Sequence, residues 1–320
     1  APDEAKSMVN VYFMFKENIP LHTLTSYRIG GPARYFFEAK TVAELKLALE
    51  ETKKKNLEFL VLGGGTNFLI GDEGFPGLVL KPNFDFIKTS GKEVSVGAGT
   101  PVSVLLDYLS ENGLSGLEWA GGLPGTVGGA IRGNAGAFGG EIKDIVKSVR
   151  SVDTKNLNEV ERDFSECDFG YRSSVFKKNS GEDIIISAVL NLEKGDSDKI
   201  KKSVDEKIAY RRERHPMEYP NAGSAFKNVD VKKIPESHLE KFISVVKSDP
   251  FPVVPAAYII SEAGLKGVSS GGAMISPKHP NFIVNVLDAR ASDVKKLIDL
   301  AKTETKKKFE IDLEEEIIFA

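Results

Sequence analysis

Cysteine is nearly absent: Cys167 is the only one in 320 residues. One thiol excludes an intrachain disulfide and a cysteine-based metal cluster, and no metal site is expected. It fits a reducing compartment, so a cytoplasmic location is the expectation. Long apolar runs are missing too. None nears the ~20 residues that a membrane-spanning helix requires, so no membrane insertion is expected. Excess charge of either sign is also lacking, with 43 Lys+Arg against 46 Asp+Glu and a net charge of −3. That balance gives no global reason for nucleic acid or an anionic membrane as partner, though a local basic pocket for a phosphate-bearing ligand stays open. No obligate protein partner is evident. Ala1 to Ser7 are polar without an apolar centre, so they do not read as a signal peptide. They read as a leftover of expression ahead of a native start at Met8.

What is present is an ordinary globular composition, 41% hydrophobic and 28% charged. At about 150 residues per domain, the length suggests two domains. Thr41-x-x-Glu44 is a capping box ahead of Leu45, Leu47, Ala48 and Leu49. Thr100-Pro101 places an N-cap residue before a proline at the first helical position, leading into Val104, Leu105, Tyr108 and Leu109. Strands are expected over Phe59 to Leu62, Leu78 to Leu80, Val94 to Val96 and Ile184 to Leu192. A charged helix follows from Ser197 to Arg214, stopped by Pro216, and the domain boundary is expected near residues 195 to 215. Beyond it come a helix from Pro255 to Ala263 ended by Gly264 and a strand from Phe282 to Val286. A further helix runs from Ser292 to Lys308 with Val294, Leu297, Ile298 and Ala301 on one face, and the last strand is Ile317 to Phe319.

Two glycine-rich loops interrupt this pattern. One is Gly63-Gly64-Gly65-Thr66-Asn67, directly after a strand. The other is Gly122-Leu123-Pro124-Gly125-Thr126-Val127-Gly128-Gly129. Glycine lets backbone N–H groups approach phosphate oxygens unobstructed. The G-x-G-x-x-G dinucleotide fingerprint and the Walker A sequence are both absent, which removes the two commonest phosphate-loop readings. Tight turns alone would explain one such loop; a pair in one half of the chain favours pyrophosphate binding.

The stretches TSYRIGGPARYF, VLGGGTNFLI, GLEWAGGLPGTVGGAIRGNAGAFGGEI, GYRSSVFK, YPNAGSAFKN and LEEEIIF resemble, in order and over nearly the whole chain after about residue 17, the UDP-N-acetylenolpyruvoylglucosamine reductase (MurB) family. The resemblance implies an α+β fold. A two-lobed FAD-binding domain of the vanillyl-alcohol-oxidase (PCMH) type would span residues 17–196. A smaller α+β substrate-binding domain would cover 205–311, and a terminal strand, 312–320, would return to the first domain. It implies FAD as cofactor and NADPH as co-substrate, with UDP-N-acetylglucosamine enolpyruvate reduced to UDP-N-acetylmuramate for peptidoglycan synthesis. The short path from Phe176 to Arg214 lacks the tyrosine-bearing insertion of some members, which matches the type II form. No histidine or cysteine lies in a glycine loop, so FAD is expected to be held non-covalently.

By the same resemblance, Gly63, Gly64, Gly65, Thr66, Asn67, Pro124, Gly125, Thr126, Gly128, Gly129 and Asn134 would hold FAD, with Tyr27 and Arg28 lining its site. Arg172 would grip the substrate carboxylate, its planar fork of donors matching two oxygens. Ser224 would deliver the proton. Glu316 would stabilise the developing enolate, as a protonated acid hydrogen-bonding to it. Tyr171, Arg214, Asn228 and His279 would contact the substrate. Taken alone, most of these have plainer readings: a surface arginine, a turn serine, and a solvated helix end at Glu314-Glu315-Glu316. Two other functions stay open on the same scaffold: a different flavin oxidoreductase, or a flavin- or nucleotide-sugar-binding module with a dead site.

Overall fold

The computed structural model describes residues 15–248 and 251–320. The expectations for Ala1 to Ser7 and for a start at Met8 lie outside the described residues. Strands Lys16–Pro20, Pro32–Ala39, Phe75–Pro82 and Phe59–Val61 make a four-stranded sheet in that order. The first pair is antiparallel and the others are parallel, because helix Val42–Lys54 carries the chain across from Pro32–Ala39 toward Phe59–Val61. That helix opens with the expected capping box, Thr41 Oγ1 accepting from Glu44 N at 3.2 Å and Glu44 Oε2 from Thr41 N at 3.1 Å. Leu45, Ala48 and Leu49 are buried, whereas Leu47 is 47% exposed. The helical repeat puts positions three and four apart on one face and leaves Leu47 on the other.

The second sheet is antiparallel throughout, in the order Glu159–Asp163, Val146–Asp153, Asp183–Asn191, Glu93–Gly97 and Ile87–Ser90. Its apolar face meets helix Val102–Glu111 in one core that includes Leu105, Leu109, Val94, Val96, Val149 and Leu190. The start of this helix differs from expectation. Pro101 is the N-cap and Thr100 lies outside it, its hydroxyl donating to Asp85 Oδ1 at 2.9 Å. Val104 faces solvent, and Val102 and Leu106 take its place in the core. The glycine-rich stretch also holds a short helix, Val127–Gly133, which composition hides because glycine is a poor helix former. Its buried Val127, Ala130 and Ile131 anchor it in the core.

After helix Ser197–Arg214, capped by Asp196, the chain builds a three-stranded antiparallel sheet, Ser269–Ser270, Ala273–Ile275 and Ile283–Asn285. Helices Ala256–Glu262 and Ala291–Phe309 pack in the core of this half, the latter burying the expected Val294, Leu297, Ile298 and Ala301. That core also takes Tyr27, Ile29 and Leu69 from the first half. Asp72 caps helix Ala291–Phe309 from a distance, accepting from Ala291 N at 2.7 Å and Ser292 N at 3.2 Å. The final strand, Ile318–Phe319, pairs in parallel with Phe68–Leu69. Among the described residues, no helix is long and apolar enough to cross a membrane.

Candidate active site

The two glycine loops meet. A Cβ on Gly64 would lie 2.7 Å from Gly125 Cα, and one on Gly125 would lie 2.8 Å from Thr66 Oγ1. Gly65 and Gly125 have φ of +64° and +104°, conformations in which a side chain is strained. Among the described residues, the amides of Gly63, Gly64 and Gly65 and those of Gly125 and Thr126 make no internal hydrogen bond. Unbonded N–H groups on two touching glycine loops suit a pyrophosphate.

Other members of the expected FAD set are used differently. Gly128 N donates to Ala98 O at 2.9 Å, and a Cβ there would meet Ala98 Cβ at 2.9 Å, so this glycine serves close packing. Gly129 N donates to Thr126 Oγ1 at 3.4 Å, closing the first turn of the short helix. Asn134 is fully buried in the left-handed position that ends that helix. Its amide group donates to Gly170 O and accepts from Lys143 N, so both of its polar ends have partners within the protein. Asparagine suits this position because it tolerates positive φ and its side chain satisfies nearby backbone. The Tyr27 ring is not at the cradle. It is wholly buried in the core of the C-terminal half, its hydroxyl donating to Ile283 O at 2.7 Å. Arg28 is exposed with φ +53°, and Pro124 lies in the second loop.

Close by, Tyr171 and Arg172 form the tip of a two-residue turn closed by reciprocal 3.0 Å bonds between Gly170 and Ser173. Arg172 has φ +52°. For a residue with a Cβ this costs about 1–2 kcal/mol, so the surroundings must hold it. Its Nε donates to Glu316 Oε1 at 2.7 Å and its Nη2 to Gly136 O at 2.8 Å. Burial works against the guanidinium charge, but Glu316, with smaller contributions from Tyr171 and the buried Glu141, outweighs it and holds the pKa above the ordinary arginine value. In this pair Glu316 Oε1 is the acceptor. The acidic triplet does not end a helix; it is extended, with Glu315 bridged to Phe226.

Glu316 is tied on both sides. Its N–H donates to Ala225 O at 2.8 Å, next to Ser224, and its carbonyl accepts from Asn67 Nδ2 at 2.9 Å. The segment of the half-buried Ser224, the first glycine loop and the Arg172 turn thus meet at one residue, the first two on the Glu316 backbone and Arg172 on its carboxylate. Asn228 also belongs here, its N–H donating to Tyr171 Oη at 3.3 Å and its Oδ1 accepting from Ala256 N at 3.2 Å. Burial raises the Tyr171 pKa, with Arg172 opposing. Arg214 lies at an exposed helix end over the Tyr210 ring. His279 packs against His215 and Phe282, with ring centroids 5.1 and 4.8 Å away. Its Nδ1 is buried without a partner, and burial pushes its pKa down to about 4. Sequence reasoning missed Lys177, whose ammonium donates to Arg172 O at 2.8 Å, and Glu141. No periodicity marks either one. Among the described residues, no cluster of three or more His, Cys, Asp or Glu could hold a metal ion.

Family models match at both ends of this arrangement: an FAD binding domain over residues 33–156 and the C-terminal domain of UDP-N-acetylenolpyruvoylglucosamine reductase over 215–320. A reductase of that name from Lachnoclostridium phytofermentans is 38% identical over 306 residues, covering 94% of this chain and 91% of its own. The chain belongs to the UDP-N-acetylenolpyruvoylglucosamine reductase family. A relative of the same name from Lactobacillus gasseri is 40% identical over 305 residues, covering 94% of this chain and 92% of its own. The crystal structure of the family's enzyme from Thermus caldophilus superimposes with a TM-score of 0.75 at 31% identity, over 95% of this chain and 99% of that one. The protein is an FAD-containing oxidoreductase, and its first half has the expected flavoprotein fold.

Proposed function

We propose that the protein reduces UDP-N-acetylglucosamine enolpyruvate to UDP-N-acetylmuramate in peptidoglycan precursor synthesis, with NADPH as the electron source. The observation that carries this reading is the meeting of Arg172, Glu316 and the Ser224 loop beside the glycine-loop cradle. The amides of Gly63, Gly64, Gly65, Gly125 and Thr126 would hold the FAD pyrophosphate. When bound, FAD supplies a carrier that takes two electrons from the reduced nicotinamide and passes them to the enolpyruvyl double bond.

The remaining work falls to this chain's own groups. The Arg172 fork has donors beyond the two given to Glu316 and Gly136, and these would receive the substrate carboxylate. Negative charge that develops on this carboxylate is stabilised by a guanidinium held in place before the reaction. Glu316, bound to Nε, orients that guanidinium. Ser224 would deliver the proton to the neighbouring carbon, with Glu316 one hydrogen bond away through Ala225. Tyr171 and Asn228 would border the same site, and His279 and Arg214 would lie toward the nucleotide. Residues 17–196 would act as the FAD-binding domain and 205–311 as the substrate-binding domain, with 312–320 carrying Glu316 back between them.

The deciding experiment follows NADPH oxidation by the FAD-loaded protein with and without UDP-N-acetylglucosamine enolpyruvate. Oxidation that depends on the enolpyruvyl compound is expected. A flavin-loaded protein indifferent to that compound refutes the substrate assignment.

A further inference from the structure

Lys177 is a cation that the proposed chemistry leaves unused, yet it touches the backbone of the central arginine. It sits on the short helix Val175–Lys178, anchored by the buried Phe176, and its ammonium reaches back to Arg172 O at 2.8 Å. Two carbonyls of the turn it touches accept a hydrogen bond from a side chain outside the turn. Gly170 O is held by Ser173 N and by Asn134 Nδ2, while Arg172 O accepts only from Lys177 among the described residues. This second carbonyl belongs to the residue at φ +52°, where a non-glycine residue persists only under external restraint. Burial disfavours the lysine charge, as do the nearby cations Lys227 and Arg132, with Glu316 and Glu314 acting the other way. An ammonium kept in a partly buried, cation-rich place is held there by what it bonds.

We infer that Lys177 is a positioning residue: its hydrogen bond to the Arg172 carbonyl locks Arg172 in its left-handed place in the turn and so aims the guanidinium at Glu316 and the substrate carboxylate. The part about the substrate rests on the proposed function; the part about the turn does not.

Two measurements separate these parts. The first is the crystal structure of Lys177→Met, or of Lys177→Leu, which also lacks a donor, if the methionine variant does not fold. Arg172 leaving the left-handed region and losing its bond to Glu316 is expected, and an unchanged turn overturns the inference whatever the substrate is. The second is turnover of the enolpyruvyl compound. Lys177→Met is expected to lose about tenfold or more in kcat/KM with unchanged FAD content, and Lys177→Arg, which keeps the charged donor, to recover to within about threefold. Adding Lys177→Met to Arg172→Lys is expected to cost less than about twofold more, because both act through one group. Full additivity, or a Lys177→Arg variant as poor as Lys177→Met, overturns the positioning role. A wild-type protein that does not turn over the compound defeats the functional reading alone and leaves the structural outcome standing.

Discussion

Replacing Gly64 by alanine tests the cofactor cradle most directly. The new Cβ would lie 2.7 Å from Gly125 Cα, where ordinary contact begins at 3.4 Å, so the loops must part by roughly 0.7 Å. Both partners are backbone, and neither can yield by a side-chain rotation. Overpacking of this kind costs about 1–3 kcal/mol. If the apoprotein relaxes by opening the loops, the cost falls on the FAD complex, where the amides must converge. At tenfold per about 1.4 kcal/mol, FAD should bind roughly 5- to 150-fold more weakly. Titration of apoprotein with FAD, read by quenching of flavin fluorescence, measures this. Gly133→Ala is the control: nothing lies within 4 Å of its Cβ and it sits in helix Val127–Gly133. That variant should keep FAD affinity and gain up to about 1 kcal/mol of stability. A folded Gly64→Ala protein with wild-type FAD affinity would refute the cradle.

Other outcomes follow from single contacts. Asn67→Asp keeps the shape but turns the donor facing Glu316 O into an acceptor, so kcat should fall about tenfold or more, while Asn67→His, which can still donate, should fall less. Asp72→Ala removes the cap that the first half supplies to helix Ala291–Phe309, and chemical denaturation should show a loss of about 1–2 kcal/mol. Burial, with Lys247 assisting, lowers the His279 pKa from 6.5 to about 4, and burial, His279, Arg211 and Lys278 do the same for His215. Both histidines bind protons more readily when unfolded, so their contribution is complete above pH 6.5 and is lost as pH falls toward 4. For His279 the upper bound is roughly 3 kcal/mol before solvent screening. Melting curves of wild type and His279→Gln should converge over that window, and parallel curves would contradict this.

The local grammar of the chain was legible in its residues. The capping box at Thr41 and Glu44 and the helix over 197–214 follow from hydrogen-bonding side chains and spacing that act within a few residues. The buried stripe from Val294 to Ala301 follows in the same way. The glycine loops announced themselves because only glycine allows such backbone approach. The ordered motifs carried the family, the FAD and the Arg172, Ser224 and Glu316 candidates, since a site's residue types survive in the sequence even when their partners do not.

Tertiary structure decided the partners. Glu316 stands 144 positions from Arg172 and 249 from Asn67, and nothing local shows that its carboxylate accepts from the first and its carbonyl from the second. Asn134 and Tyr27 looked like cofactor contacts by position but spend their polar groups inside the protein, where a buried donor or acceptor must find a partner. Lys177 closes the GYRSSVFK motif, but its role went unread because it depends on the Arg172 carbonyl, and the φ of that residue is a property of the folded turn. Short-range physics, written in neighbouring side chains, set the elements. Long-range closure, driven by burial and the pairing of polar groups, chose which of them meet.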